Sequence, residues 1–353
     1  MRLTRSAVIV AVIGVLALVA AAVLKFAVVP SASKLPTDLN TTQDYSGTYN
    51  GLNPAALAGG GGNLLLRDVP VTASRNYTVD STDGNTAVVN QKIERAVGGQ
   101  ASPTATTKYA VDRTDFQSAP APSGAKDVVP SKGWIFTLPL HPQTDGKYQL
   151  WDATTGAAYN LVYKGTSTLD GRTVLKYQSV AKGDVADPKA LGLPTSVTKA
   201  QLAGLQPVLA GVLPPALLAQ LPAVLAQLPA SLPLTYTSET TSTIYADSVI
   251  GSPIRSGSTQ KISANLALGG AIAVPFSTID LNTTPKSSQT MADDASSKAG
   301  TLNTVGTVLP VGLTVLGVVL LLVALFLTIR AGRSGGTGSA TVPPPAVPTP
   351  AHV

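Results

Sequence analysis

The residues whose types and spacing come closest to a chemical site are Lys147, Tyr148, Trp151 and Asp152. A cation, a phenol, an indole and a carboxylate this close together could bind a polar ligand through hydrogen bonds and aromatic stacking. The same spacing is typical of a strand that buries its tryptophan and ends in an aspartate that starts a turn. The sequence alone leaves both interpretations open.

Other kinds of site find little support in the sequence. The chain has no cysteine and only two histidines, of which His352 is the penultimate residue, so we expect no thiol centre and no histidine-based metal site. His141 precedes a proline in a turn, and Asp293 and Asp294 open a helical stretch, where the helix dipole favours negative charge. No nucleophile elbow, HExxH, P-loop or EF-hand pattern occurs. We therefore expect no enzymatic activity, no cofactor and no metal.

The polar middle of the chain predicts antiparallel strands joined by tight turns. Thr86–Val97 alternates, with Val89, Ile93 and Val97 on one face, and Asp83-Gly84 before it is a hairpin signal. In the segment 133–140, Trp134 and two further bulky residues predict another strand. The other predicted strands are 75–79, 108–113, 147–152, 157–164, 173–180, 235–247 and 261–268. This spacing describes a mainly β domain, an antiparallel sheet that curls or closes into a β-barrel-like form.

Residues 198–233, the Leu/Pro segment, break this pattern and predict a helical insertion. A seven-residue repeat starts at Pro215 and again at Pro222. Its leucines fall on one helical stripe, and the prolines should kink the helix. We expect this stripe to contact lipid as a lid or wall of a cavity, although a helix that only plugs the open end of the sheet fits as well. The stripe consists of Leu218, Leu221, Leu225, Leu228 and Leu232.

The two ends of the chain are apolar and long enough to cross a bilayer. We predict transmembrane helices at 6–29 and 301–329, and the length of the first run favours an anchor over a cleaved signal peptide. Arg2 and Arg5 before the first run, and Arg330 and Arg333 after the second, place both termini in the cytoplasm.

The predicted order along the chain follows from these spans. It is a cytoplasmic N-terminus (1–5), helix 6–29, a stalk or loop (30–62), an extracytoplasmic β-rich domain (63–300), helix 301–329 and a disordered cytoplasmic tail (330–353). The net charge is +6, but the middle segment contains no run of basic residues. We therefore expect no nucleic-acid partner.

Several features occur in an order that resembles a known family. They are the N-terminal anchor ending in Lys25 and Phe26, the 109–113 strand, the row Trp134, Pro139, Lys147, Tyr148, Trp151 and Asp152, the turn at 163–171, the Leu/Pro segment and the C-terminal span. In this order the chain resembles the actinobacterial porin PorA-like family of two-span envelope proteins, a group that includes a lipoglycan-assembly factor. The resemblance covers nearly the whole chain. It implies an extracytoplasmic β-rich domain with a cavity suited to lipid.

The resemblance and the two spans together predict a non-enzymatic plasma-membrane protein. Its outer domain would bind or present a membrane lipid or a lipid-linked glycan during lipoglycan and envelope assembly, with envelope glycosyltransferases as possible partners. Two alternatives remain, a porin-like pore component and a structural scaffold for envelope enzymes. A channel would need polar residues along a span, and neither span offers more than Thr304, Thr307, Thr314 and Thr328.

Overall fold

The computed structural model describes residues 5–53, 56, 63–145, 147–206, 229–267 and 271–333, with 210, 215, 219, 222–223 and 226–227. The chain divides into two compact units. The first contains residues 1–32 and 301–353, and the second contains residues 33–300.

Two apolar helical stretches are long enough to span a membrane. The first comprises α1 (Arg5–Val23), a π-helical turn (Leu24–Val28) and α2 (Val29–Ala32). The second comprises Pro285–Asn303, a π-helical turn (Thr304–Val308) and Leu309–Arg333. By length and composition, Arg5–Ala32 and Pro285–Arg330 are candidate spans, and they include the predicted helices 6–29 and 301–329. Their large apolar side chains are mostly exposed.

The two apolar helices pack against each other through glycine. A Cβ on Gly14 would come within 3.0 Å of the carbonyl oxygen of Gly317, and a Cβ on Gly317 would come within 2.8 Å of that of Gly14. Ala7, Ala17 and Ala21 of α1 are buried as well. Small residues at one interface let helix backbones approach closely, which is how membrane helices associate without a hydrophobic driving force.

The second unit is built on one large antiparallel sheet. Its strands are β1 (Asn40–Leu52), β2 (Leu65–Asp83), β3 (Thr86–Val97), β4 (Gln100–Ala101), β5 (Ala105–Asp112), β6 (Tyr148–Asp152), β7 (Ala157–Leu169), β8 (Arg172–Asp184), β11 (Thr235–Asp247), β12 (Pro253–Ala267) and β13 (Ala271–Thr283). They pair in the order β4-β3-β2-β1-β13-β12-β11-β8-β7-β6, and β5 pairs with the other part of β3. A separate small sheet pairs β9 (Ser196–Thr198) with β10 (Ser231–Pro233). The described helices that follow are α3 (Lys199–Gly204), α4 (Pro285–Asn303), which begins in this unit, and α5 (Leu309–Arg333), which belongs to the first unit.

The sheet curls so that strands from both of its ends share one core. This main core joins Tyr77 and Val89 of β2 and β3 to Tyr148, Leu161 and other residues of β6, β7, β8 and β11. In the described structure, β6 at one end of the sheet does not form a ladder with β4 or β5 at the other end. The prediction of a closed barrel is therefore wrong, and the curled sheet is the correct alternative. Between the ends, the segment 117–134 makes only isolated bridges to β5 and β6.

Two further apolar clusters line other parts of the unit. An upper cluster contains Leu202, Leu232, Tyr236, Ile262, Phe276 and neighbouring residues. A side cluster contains Tyr45, Tyr49, Val71, Ala73 and Leu281.

The predicted stalk over 30–62 is wrong for Asn40–Leu52, which forms β1 near the middle of the sheet. Glycine and hydroxyl residues hide its alternation, because Tyr45 and Tyr49 are its bulky inward side chains before the bulge, and Leu52 follows the bulge. The glycine is required by packing: a Cβ on Gly47 would overlap the carbonyl oxygen of Asp280 on β13. Hydrogen bonding to β2 and β13 on both sides therefore holds a strand that composition alone does not indicate.

The predicted strand 133–140 is also wrong, because only Trp134 makes β-bridges. Gly133 has a φ of 70°, and a Cβ there would clash with the carbonyl group of Gln149, so the chain turns sharply at this point. Further along, the backbone N–H of Leu138 donates to the carbonyl oxygen of Gly251 instead of to a neighbouring strand (3.1 Å).

The Leu/Pro segment begins and ends with structure that the sequence only partly anticipates. It begins with the short helix α3, whose N-terminus is stabilised by a capping box between Thr198 and Gln201. Leu232, assigned to the helical stripe, instead lies in strand β10 and is buried in the upper cluster, because it pairs with Val197 of β9. The other stripe leucines, Leu218, Leu221, Leu225 and Leu228, lie outside the described residues.

Candidate functional site: the inward face of the curled sheet

A band of hydroxyl side chains crosses the inward face of the sheet between two apolar clusters. On β11 the inward residues run from Tyr236, in the upper cluster, through Ser238, Thr240 and Ser242 to Ala246, in the main core. Residues of one parity on a strand share a face, so the ladder places matching polar residues of the adjoining strands beside them. These are Ser179 of β8 and Ser258 and Gln260 of β12.

This hydroxyl band is unusual for the interior of a sheet. Ser238 is 2% exposed, and its hydroxyl oxygen is buried with no hydrogen-bond partner among the described residues. Buried polar atoms are nearly always hydrogen-bonded, because an unpaired group costs about 1–3 kcal/mol. Ser242 and Ser258, directly opposite each other, keep part of their surface open to solvent. The inward face is therefore polar in its middle and apolar on either side.

Two arginines project from the same inward face on β2 and β3. Arg75 lies opposite Ile93, and Arg95 lies opposite Ala73. The two arginines are therefore diagonal neighbours on adjacent strands, a position at which Cα atoms are typically about 7–8 Å apart. Within the described part of the chain, no carboxylate lies within 4.0 Å of either guanidinium group, and the ion pairs found there involve other cations.

The neighbours of these arginines are neutral tyrosines and glutamines. The guanidinium group of Arg75 lies over the ring of Tyr45, 5.2 Å from its centroid. Gln43 of β1 lies directly opposite Arg75 of β2. Its side-chain oxygen accepts a hydrogen bond from the Tyr45 hydroxyl at 2.6 Å. Its side-chain amide nitrogen is buried and has no partner in the described structure. Burial and the nearby charge of Arg75 both lower the pKa of Arg95.

On the other side of Arg75, tyrosine hydroxyls continue the polar surface. The side-chain amide of Gln91 donates to the Tyr77 hydroxyl at 2.7 Å, and Tyr109 is 2% exposed. Burial raises the pKa of Tyr77 and of Tyr109, so both phenols are neutral at physiological pH. The described side chains that contact Arg75 are thus uncharged. We call Arg75, Arg95, Gln43, Tyr45 and Tyr77 the arginine site.

The four residues predicted as a polar-aromatic site do not come together. Lys147 points to solvent and pairs with Asp145 at 3.0 Å. Tyr148 is in the main core, in edge-to-face contact with Trp134 at 4.5 Å. The carboxylate of Asp152 accepts from the backbone N–H and hydroxyl of Thr155, as a turn-starting aspartate does.

The two tryptophans differ in burial. Trp134 is 6% exposed, and its indole nitrogen donates to the carbonyl oxygen of Asp115 at 2.9 Å. Trp151 is only partly buried; its indole nitrogen lies inside, beside Tyr109, without a hydrogen bond of normal geometry. These residues therefore stabilise the fold, and the sequence interpretation that assigned them a strand with a turn is the better one.

Sequence reasoning missed the arginine site, although a signal was present. By strand alternation, Arg75 shares a face with Val71 and Ala73, and Arg95 shares one with Val97. A charge on the apolar face of a strand is the feature that could have identified both. In the described ranges, no group of three or more histidine, aspartate or glutamate side chains could hold a metal ion.

Comparison with known proteins gives one family match and several remote structural similarities. The family model described as Porin PorA matches residues 6–326. No curated protein matches the sequence.

Three solved structures share 12–14% identity with the chain. A conserved protein of unknown function with a hot dog fold from Alicyclobacillus acidocaldarius is 13% identical, with 72% of this chain and 82% of that chain covered and a TM-score of 0.12. A putative MaoC domain protein dehydratase from Chloroflexus aurantiacus J-10-fl is 14% identical (77% and 80%, TM-score 0.12). An acyl-CoA thioesterase II TesB2 from Mycobacterium marinum is 12% identical (69% and 81%, TM-score 0.11). At these TM-scores the similarities support no conclusion about fold or function.

Proposed function

The chain belongs to the porin PorA family, and on that premise we propose that it is a non-enzymatic membrane protein whose β-rich unit holds a lipid or a lipid-linked glycan. Family membership and two candidate spans support a membrane location. We place the protein in the plasma membrane with both termini in the cytoplasm. The flanking arginines support this orientation, which puts residues 33–300 outside.

The observation that carries the proposal is the hydroxyl band between the upper cluster and the main core. A ligand with both polar and apolar parts matches a surface that is polar in the middle and apolar on either side. Ser238, with its unpaired hydroxyl, and the partly exposed pair Ser242 and Ser258 would hydrogen-bond the polar part. Handing such a ligand to envelope glycosyltransferases requires no catalytic residue in this chain, and a nucleic-acid partner is not part of the proposal.

Mass spectrometry of lipids that co-purify with the full-length protein in a mild detergent tests the proposal. Ser242→Leu replaces an inward hydroxyl, and Thr241→Leu changes the next residue, which faces outward on the same strand. One hydrogen bond is worth about 0.5–1.5 kcal/mol, so Ser242→Leu should retain about two- to tenfold less lipid. Thr241→Leu should retain as much lipid as the wild type. Equal retention by both variants, or no lipid on the wild type, would refute the proposal.

A porin-type pore is the second candidate function, and the family match is the observation that favours it. Current through planar bilayers containing the purified full-length protein tests it. Discrete conductance steps would favour the pore. The absence of conductance steps, together with lipid that co-purifies with the protein, would favour lipid binding.

A further inference from the structure

The arginine site has positive charge without a matching negative charge. In most proteins a guanidinium group inside a sheet is paired with a carboxylate, because an uncompensated charge away from water costs several kcal/mol. The described partners of Arg75 are the Tyr45 ring and the Tyr77 hydroxyl, and the charge that acts on Arg95 is that of Arg75. The described residues therefore supply no counterion at this position.

Two features of the site favour the binding of a ligand: the arginines are partly accessible, and a hydrogen-bond donor beside them is unpaired in the described structure. Both arginines keep part of their surface accessible to solvent. The amide nitrogen of Gln43, a side chain only 7% exposed, is a hydrogen-bond donor with no acceptor in the described structure. Two guanidinium groups and an amide on three neighbouring strands supply donors from one face, the arrangement that oxyanions such as phosphate accept.

We propose that Arg75, Arg95 and Gln43 bind a phosphate-type anion at the inward face of the sheet. The guanidinium groups donate to the anion's oxygens, and Gln43 donates a further hydrogen bond. The apolar side cluster begins next to the site: Ala73 lies opposite Arg95, and Val71 follows along β2. An anionic headgroup at the arginines would thus have an apolar surface beside it for the rest of an amphiphile. The identification of the anion as a lipid headgroup rests on the function proposed above. The anion site itself does not, because a free phosphate would use the same donors.

Thermal unfolding of the full-length protein in a neutral detergent tests the site with inorganic phosphate as the probe, against chloride at matched ionic strength. Phosphate should raise the wild-type melting temperature saturably. Arg75→Gln and Arg95→Gln should each weaken phosphate binding about tenfold or more, as loss of a charge-assisted contact does. Arg67→Gln is the matched control, because Arg67 lies on the same strand as Arg75 and is exposed. It should bind like the wild type.

The arginine site also makes a prediction for the protein without an anion. Arg95→Gln removes one of two repelling, partly buried charges, so in chloride buffer this variant should melt at or above the wild-type temperature. Phosphate should then no longer raise it. If the glutamine variants do not fold, Arg75→Lys and Arg95→Lys keep the charge and lose the planar donor pair, and each should weaken phosphate binding. An unshifted wild type, or a shift that Arg95→Gln and Arg67→Gln share equally with the wild type, would overturn the proposal.

A second arm distinguishes the sources of the anion. Mixed micelles containing phosphatidylglycerol are compared with micelles containing diacylglycerol of the same chains, which lacks the phosphate. Stabilisation by phosphatidylglycerol alone, lost in Arg95→Gln, identifies a lipid headgroup. Stabilisation by inorganic phosphate but by neither lipid keeps the anion site and refutes lipid binding. Equal stabilisation by both lipids in the wild type and in Arg95→Gln keeps lipid binding and refutes the anion site.

Discussion

Arg172→Met should destabilise the β-rich unit strongly, because it leaves a buried carboxylate without its cation. Asp247, at the end of β11, is 0% exposed and receives two hydrogen bonds from the Arg172 guanidinium group, at 2.7 and 3.1 Å. The backbone N–H groups of Val249 and Ile250 donate to the same carboxylate at 2.9 and 2.8 Å. Removing one partner of such a pair typically costs about 3–5 kcal/mol. Since the two backbone donors remain, we expect about 3 kcal/mol, or a fall of roughly 6–12 °C in melting temperature.

Tryptophan fluorescence during thermal or urea unfolding is a suitable assay. The chain has two tryptophans, Trp134 and Trp151, and both lie in the β-rich unit, so the signal does not report on the apolar helices. Lys182→Met is the control. It removes an exposed ion pair to Glu239, at 3.4 Å, between the same two strands, and such pairs contribute about 1 kcal/mol or less. Equal losses in Arg172→Met and Lys182→Met would refute the reasoning.

The same pair predicts a pH dependence. Burial raises the pKa of Asp247, but hydrogen bonds from Arg172, Ile250 and Val249 outweigh burial and bring the pKa below its ordinary value. The stabilisation is therefore fully present above the unfolded-state pKa of about 3.9 and is lost as the pH falls through the lower, folded-state pKa. The contribution of Asp247 to wild-type stability should therefore stay constant from neutral pH to about pH 5 and fall only in stronger acid, which urea unfolding at a series of pH values measures.

The remaining predictions concern the core, the central strand and the topology. Trp134→Ala should lower the free energy of unfolding by about 3–5 kcal/mol, measured by the same assay from the fluorescence of Trp151. Truncation of Trp151 should cost less, because this side chain is partly exposed. Gly47→Ala should cost about 1–3 kcal/mol in urea unfolding, since its Cβ would overlap β13, whereas Gly204→Ala, with no atom near its Cβ, should be neutral or stabilising. Reporter fusions after residue 180 should be active only outside the cytoplasm and fusions after 340 only inside; activity on one common side would contradict the charge argument.

Strong alternation and clear turns made most of the strands predictable. Thr86–Val97 and Thr235–Asp247 begin and end where the pattern indicates, and Gly84, with a φ of 57°, makes the turn that Asp83-Gly84 predicts. β1 escaped prediction for a physical reason: it lies in the middle of the sheet, where hydrogen bonds to two neighbouring strands compensate for its weak β propensity. β13 also escaped prediction, although its isoleucines, Val274 and Phe276 favour a strand.

The candidate site was not predictable in the same way. The arginine site depends on which residues of β1, β2 and β3 lie side by side, and this depends on the register of pairing, which no local pattern contains. Lys147, Tyr148 and Asp152 looked like a site because they are close in sequence, but strand alternation and a turn send their side chains in different directions. The position of the leucine stripe other than Leu232 remains a prediction.

The pairing of β1 with β13 has a consequence for how the protein is made. β1 is the first strand of the sheet to leave the ribosome and β13 the last, and Tyr45 pairs with Thr283. One edge of β1 therefore stays without its partner until almost the entire β-rich unit has been synthesised and, in the proposed topology, translocated. Such non-local pairing folds slowly, and an unpaired edge invites aggregation. A nascent chain arrested before β13 should accordingly depend on chaperones or be degraded, so that only complete chains mature into the folded protein.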